Sequence, residues 1–250
     1  MLEVLNLGIS YGEKAVLRSA SLCIEKGKIT SLVGVNGCGK STLLKTIVGI
    51  LKPETGEIRI DGESLFAMDR QRIATKIAYL SQGRETPDMT VGQMVLHGRF
   101  AHLHYPRRYT ENDRRIAREV MEKFGIEHLF GVSLSELSGG MRQSVYIAMA
   151  LAQGSDYILL DEPTTYLDIS HQIEAMRRLR ALSDEGKGVL CVMHDLALAF
   201  SFSDEILLLN EGEIVLRGTP NEVCCSPLIK EIFGVELCPD AQGERYFCRY

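Results

Sequence analysis

Short apolar runs alternate along the chain with stretches of helical spacing. That alternation predicts an α/β core, because short strands need helices to cover their apolar faces. The runs at 29–33, 77–80, 157–160, 189–193 and 206–209 read as strands. Segment 206–209 pairs with 213–217 across Asn210, Glu211 and Gly212, a glycine-containing hairpin turn. Nearer the N-terminus, residues 2–7, 16–25 and 57–61 read as strands of a more antiparallel sheet. A helix spans 40–51 and stops ahead of Pro53, which cannot continue it.

The middle of the chain changes period. Over 111–124, Ile116, Ala117, Val120, Met121 and Phe124 recur at helical spacing, with Arg114, Arg115, Arg118, Glu122 and Lys123 on the other face. No strand pattern stands out between about 84 and 154, which predicts a helical insertion. The chain thus reads as one domain over 1–250, with that insertion and a tail from about 220 to 250.

Composition narrows the classes. At 250 residues, 45% hydrophobic and 24% charged, the chain can bury a sizeable core. A net charge of −5 speaks against a nucleic-acid partner, which favours basic surfaces. The N-terminal residues lack a secretory pattern, and the apolar runs are too short to cross a bilayer. Seven cysteines, an odd number, read as reduced thiols rather than a disulfide framework.

The chemistry begins at Gly34, followed by Val35, Asn36, Gly37, Cys38, Gly39, Lys40, Ser41 and Thr42. This fits G-x4-G-K-[ST] between a predicted strand and a predicted helix. Glycines let backbone N–H groups curl around phosphate oxygens, and the helix presents its positive end to them. Lys40 can neutralise the terminal phosphates of ATP, and the Ser41 hydroxyl can ligate Mg²⁺. Cys38 reads as a loop spacer.

Residues 157–160 lead into Asp161 and Glu162, two carboxylates at a strand end. Beside the phosphate loop, Asp161 can hold Mg²⁺ through water and Glu162 can polarise the attacking water as general base. Upstream, Leu137, Ser138, Gly139, Gly140, Met141, Arg142 and Gln143 form a capped helix start with exposed N–H groups. This segment resembles the ABC signature motif, and it precedes the acidic strand as that family requires.

The resemblance to ABC ATPases covers roughly residues 2–235. It implies a P-loop ATPase fold with an N-terminal antiparallel β subdomain, a RecA-like core and an inserted helical subdomain. At matching positions it implies that Tyr11 stacks on adenine with Val16 packing nearby, and that Gln82 links Mg²⁺ and water to a transmembrane partner. It places Asp168 at a dimer interface and His194 near the γ-phosphate. It also implies a head-to-tail homodimer, each site pairing one phosphate loop with the other chain's signature helix. Two departures stand out: Met141 occupies the usual glutamine position of the signature, and Val35 replaces a proline common in the loop.

Residues 161–172, with the runs 148–153 and 90–99, resemble most the ATPases of iron–siderophore importers, a group bordering haem and cobalamin importers. That resemblance implies permease subunits as partners, a substrate-binding protein indirectly, and a place at the cytoplasmic face of the membrane. A soluble accessory ABC ATPase, such as one serving iron–sulfur assembly, is the alternative. His97, His102 and His104 read as part of a polar docking surface for the permease. Arg107, Arg108, Arg114, Arg115 and Arg118 read as a solvated face, and Cys224, Cys225, Cys238 and Cys248 match no strong zinc spacing.

Overall fold

The computed structural model describes residues 1–83 and 86–249. A hairpin of β1 (Leu2–Tyr11) and β2 (Lys14–Ile24) opens the chain. β3 (Ile29–Val33) leaves it for a second sheet, and all five of its residues are buried. The loop 34–39 then enters α1 (Lys40–Ile47). β4 (Thr55–Ile60) and β5 (Glu63–Ser64) return to the first sheet, giving the antiparallel order β2-β1-β4-β5.

α1 ends at Ile47, not at the expected residue 51. Gly49 adopts φ +74°, and its N–H donates to Thr46 O while Ile50 N–H donates to Lys45 O at 2.9 Å. This left-handed glycine cap satisfies the last carbonyls before Pro53 comes into play.

α2 (Arg70–Lys76) starts under Asp69, whose carboxylate accepts from Arg72 N–H at 2.7 Å, and leads into β6 (Ile77–Leu80). Next come α3 (Val91–His97), a 3-10 turn at Gly98–His102, α4 (Glu111–Lys123) and α5 (Gly139–Ala152). Thr90, Thr110 and Ser138 cap these three α-helices with their side-chain oxygens. Ala117, Val120 and Met121 of α4 are buried while Arg114, Arg115 and Arg118 face solvent, as the spacing predicts. Between residues 86 and 154 the β pairing among the described residues is one isolated bridge, Thr90 to Ser133. Arg84, the expected start of the insertion, lies outside the described residues.

β7 (Tyr157–Asp161), α6 (Ile169–Asp184), β8 (Gly188–Val192), α7 (Leu196–Phe202), β9 (Glu205–Asn210) and β10 (Glu213–Gly218) complete the second sheet. Its order is β10-β9-β3-β8-β7-β6, parallel throughout except for β10 at one edge. Successive residues of β8 serve opposite cores: Val189 and Cys191 meet the α5 and α6 side, Leu190 and Val192 the α1 and first-sheet side.

The segment expected as a tail is built. α8 (Pro220–Cys224), α9 (Pro227–Phe233) and the hairpin of β11 (Glu236–Pro239) and β12 (Tyr246–Arg249) fold back on the domain. Tyr246 is buried, meets Phe200 of α7 edge-on, and its N–H donates to Ser201 Oγ at 3.1 Å. Tyr250 lies outside the described residues. Among the described residues no helix is long and apolar enough to cross a membrane.

Candidate nucleotide site

The parallel register decides where the chemistry collects. Asp161, the last residue of β7, stands opposite Val192, the last of β8, and β3 runs beside β8 up to Val33. The chain after each strand therefore emerges at one end of the sheet, the end where open α/β sheets place ligands. Loop 34–39, Glu162 and His194 all follow such strand ends.

Loop 34–39 is shaped by close approach. A Cβ on Gly34 would stand 2.3 Å from Leu209 O and 2.8 Å from Cys38 Sγ, so only glycine fits. Gly39, at φ +111°, is the N-cap of α1 and offers no side-chain cap, which leaves the first N–H groups of the helix to face a ligand. Lys40 is buried, and its Nζ donates to Gly34 O at 2.7 Å and Val35 O at 3.0 Å. An ammonium has three N–H bonds, so one remains for a phosphate oxygen. Cys38 is buried beneath the loop; burial pushes its thiol pKa up, which keeps it neutral and unreactive.

Asp161 is almost fully buried, and its Oδ1 has no hydrogen-bond partner. Burial pushes its pKa up and the charge of Glu162 adds to that, while Ser41, Lys45 and Lys40 pull it the other way. A buried carboxylate oxygen with an unused lone pair, next to a serine hydroxyl, suits a hard cation with oxygen ligands. The residues therefore fit Mg²⁺.

Glu162 is the first residue past β7, and its backbone adopts φ +56°, a region that costs a non-glycine residue energy. The turn aims the carboxylate back over the sheet end. Glu162 Oε2 accepts from Gln82 Nε2 and from Thr165 Oγ1, the latter at 3.0 Å, and Oε1 meets His194 Nε2. Its side chain is 9% exposed against 41% for His194, so the histidine forms the outer wall.

One open groove of about 340 Å³ is lined by Tyr11, Val16, Asn36, Gly37, Gly39, Lys40, Ser41, Thr42, Gln82, Glu162 and His194. Asp161 does not line this groove; it adjoins Ser41, which does, and lines the recess beside it. Ser138, Gly140 and Asp168 do not line it. Gly139 shares a smaller recess of about 200 Å³ with Gln82 and Glu162. Ser138 is exposed and caps α5, accepting from Met141 N–H at 3.3 Å. Asp168 caps α6: it accepts from His171 N–H at 2.9 Å, Ser170 Oγ at 2.7 Å and the His171 ring at 2.8 Å, which hold its carboxyl down at about 2. The starts of α5 and α6 touch, since a Cβ on Gly140 would lie 2.1 Å from the His171 ring.

Two contributors were not anticipated. Thr165 orients Glu162, and Lys45 bears on Asp161 from one helical turn past Ser41. A hydroxyl three residues after the carboxylate and a lysine at i+4 from Ser41 were the available signals.

Residues 17–165 match the ABC transporter family. The chain belongs to that family. ATP-binding subunits of ABC transporters are ATPases, and this ABC chain is one. It is 40% identical over 246 residues to the iron(3+)-hydroxamate import ATP-binding protein FhuC of Bacillus subtilis, covering 97% of this chain and 91% of that protein. It is also 40% identical over 235 residues to the ferric enterobactin transport ATP-binding protein FepC of Escherichia coli, covering 93% and 86%. Among solved structures, cbiO1 of Clostridium perfringens, part of the ABC transporter complex cbiONQ, superposes with a TM-score of 0.80 at 28% identity over 92% of this ABC chain and 93% of that one. A nucleotide-free ATP-binding cassette from an ABC transporter shares the fold, with a TM-score of 0.83 at 24% identity over 93% and 98%.

Proposed function

We propose that this ABC ATPase energises an importer of iron–siderophore chelates, working as a head-to-tail dimer at the cytoplasmic face of the membrane. Support for the cargo comes from the relatives: FhuC and FepC are named for ferric hydroxamate and enterobactin, and the likeness spans nearly the whole chain. In this reading the described residues 86–154 belong to the helical subdomain and the segment from Gln82 to about Pro106 meets a permease, with a substrate-binding protein on the far side of the membrane.

The observation that carries the reading is the clamped carboxylate of Glu162 at the rim of the Lys40 groove. Lys40 and the α1 N–H groups bind the phosphates of ATP, and Tyr11 and Val16 border the base. Ser41, Gln82 and Asp161 would hold Mg²⁺, which when bound neutralises charge on the phosphates. A carboxylate has about four acceptor positions, and Gln82, Thr165 and His194 take three among the described residues. The fourth, on Oε1, accepts a proton from water as the water oxygen attacks the γ-phosphorus, giving ADP and phosphate. Gln82, Thr165 and His194 keep that carboxylate from rotating away.

The dimer reading is supported by the standing of Ser138. It sits on the surface at a helix start, outside its own chain's groove, where its hydroxyl and the neighbouring N–H groups can meet phosphate bound by a second copy. Asp168 and the exposed Tyr166 and Ile169 follow Glu162 in the chain.

Uptake assays test the cargo. Cells lacking this chain but keeping its permease should lose uptake of a labelled ferric hydroxamate or catecholate, with wild type restoring it and Glu162→Gln failing to. Loss of haem or cobalamin uptake with ferric chelate uptake intact would replace the cargo.

A further inference from the structure

The far end of α5 carries a polar cluster that the nucleotide site does not use. Arg99 and Asp113 are both buried, with side chains 10% and 7% exposed, and Arg99 Nε donates to Asp113 Oδ1 at 3.1 Å. The same guanidinium donates through its terminal nitrogen to Ala152 O at 2.9 Å and Gln153 O at 3.4 Å. His102 Nε2 also donates to Gln153 O, at 2.7 Å. These are the carbonyls a helix C-terminus leaves without partners, and a guanidinium there also suits the helix dipole. Asp113 is fixed in turn by Thr110, whose N–H and hydroxyl donate to Oδ2 at 2.9 and 2.7 Å.

The half-buried Gln153 side chain reaches the other way, to the junction of α2 and β6. Its Nε2 donates to Ala74 O and to Ile77 O, the latter at 3.0 Å. Ile77 begins β6, the strand that leads to Gln82 and pairs with β7. Asp156 N–H donates to Lys76 O at 3.1 Å, so the chain leaving α5 is stitched to the same turn. Gly98 seals the contact: a Cβ there would lie 2.2 Å from Met149 O.

A buried ion pair is a poor way to gain stability, because desolvating both charges offsets their attraction, and a helix end can be closed by a glycine alone. What a forked guanidinium and a two-carbonyl amide add is direction. α5 has 14 residues, about 21 Å at 1.5 Å per residue, and its other end is Ser138, next to the packing of Gly140 on His171 of α6. A turn of about 10° at the pinned end would carry Ser138 by roughly 4 Å, more than the length of a hydrogen bond.

We propose that Arg99 and Gln153 are positioning residues: a polar pivot at the C-terminal end of α5 that sets where Ser138 stands and so how well it completes a second copy's nucleotide groove. This rests on the dimer reading above. The pivot acts on the affinity of one copy for another and leaves each copy's own grip on nucleotide alone, because none of its residues lines the Lys40 groove.

The test uses the full chain carrying Glu162→Gln as reference, with Gln153→Ala and Arg99→Lys added singly. Light scattering gives the ATP concentration for half-maximal dimerisation, and a fluorescent ATP analogue gives the affinity of dilute single chains. Both variants should raise the dimerisation midpoint by about five-fold or more while analogue affinity stays within about two-fold. Arg99→Lys keeps a charge beside Asp113 without the fork, so it separates direction from charge. An unchanged midpoint, or a midpoint and affinity that weaken together as in general loss of structure, overturns the pivot. A reference that stays monomeric in ATP overturns the dimer reading and the pivot with it.

Discussion

His194 Nε2 lies on Glu162 Oε1, although 32 residues separate the two in sequence. The parallel register of β7 and β8 explains the meeting. Asp161 pairs with Val192, so Glu162 and His194 leave adjacent strands one and two residues beyond the same level. The positive φ of Glu162 then turns its carboxylate across to the histidine and to Gln82.

Glu162→Gln keeps the size of the side chain and removes its basicity. Phosphate release should fall by about a hundred-fold or more, the range of general-base catalysis, with ATP affinity retained. A variant turning over at the wild-type rate would show that another group takes the proton.

Asp161→Asn separates function from stability. Burial raises the carboxyl pKa, so the ionised form costs the fold stability at pH 7, and that cost fades as pH falls through the raised pKa. In magnesium-free buffer at pH 7 the variant should therefore melt higher than wild type, with the gap closing on acidification. Mg²⁺ should raise the wild-type Tm in the presence of ATP and leave that of the variant unmoved. Differential scanning calorimetry across pH reads both, and a variant melting lower at pH 7 contradicts the assignment.

Asp168 moves in the opposite sense. The His171 N–H, the Ser170 hydroxyl and the His171 ring hold its carboxyl at about 2, below the ordinary value of about 4. The stability advantage of wild type over Asp168→Asn should be fully present above about pH 4 and disappear as pH falls through about 2. Thermal melts that diverge further in acid would contradict the cap.

The strands were legible because buried runs and their flanking glycines carry a local signal. β3 runs over the expected residues, and β7 and β9 extend their expected runs by a residue or two. The gathering of the loop, Gln82, Glu162 and His194 was reachable only through motif resemblance, since strand order and register have no local signature. Thr165 stayed hidden because its contact depends on the left-handed backbone at Glu162. Arg99 and Asp113 stayed hidden because a buried ion pair reads in sequence like any two surface charges. His102, read as part of a docking surface, also donates to a helix-end carbonyl, and the C-terminal segment ends in a hairpin whose Tyr246 has a partner on α7.

Gly140 is the tightest contact between α5 and α6. Gly140→Ala places a Cβ 2.1 Å from the His171 ring and should cost about 1–3 kcal/mol by overpacking. Adding His171→Ala makes room and should recover most of the loss. Urea unfolding of the two single variants and the pair reads the coupling, and strict additivity would contradict the contact.

The central claim is that one copy's Lys40 groove works with another copy's Ser138. Lys40→Ala and Ser138→Arg chains, each inactive alone, should regain ATPase activity when mixed. In a mixed dimer the intact groove of one chain faces the intact signature of the other, so an equal mixture should reach up to about a quarter of wild type. A mixture as inactive as its two components would contradict the shared site.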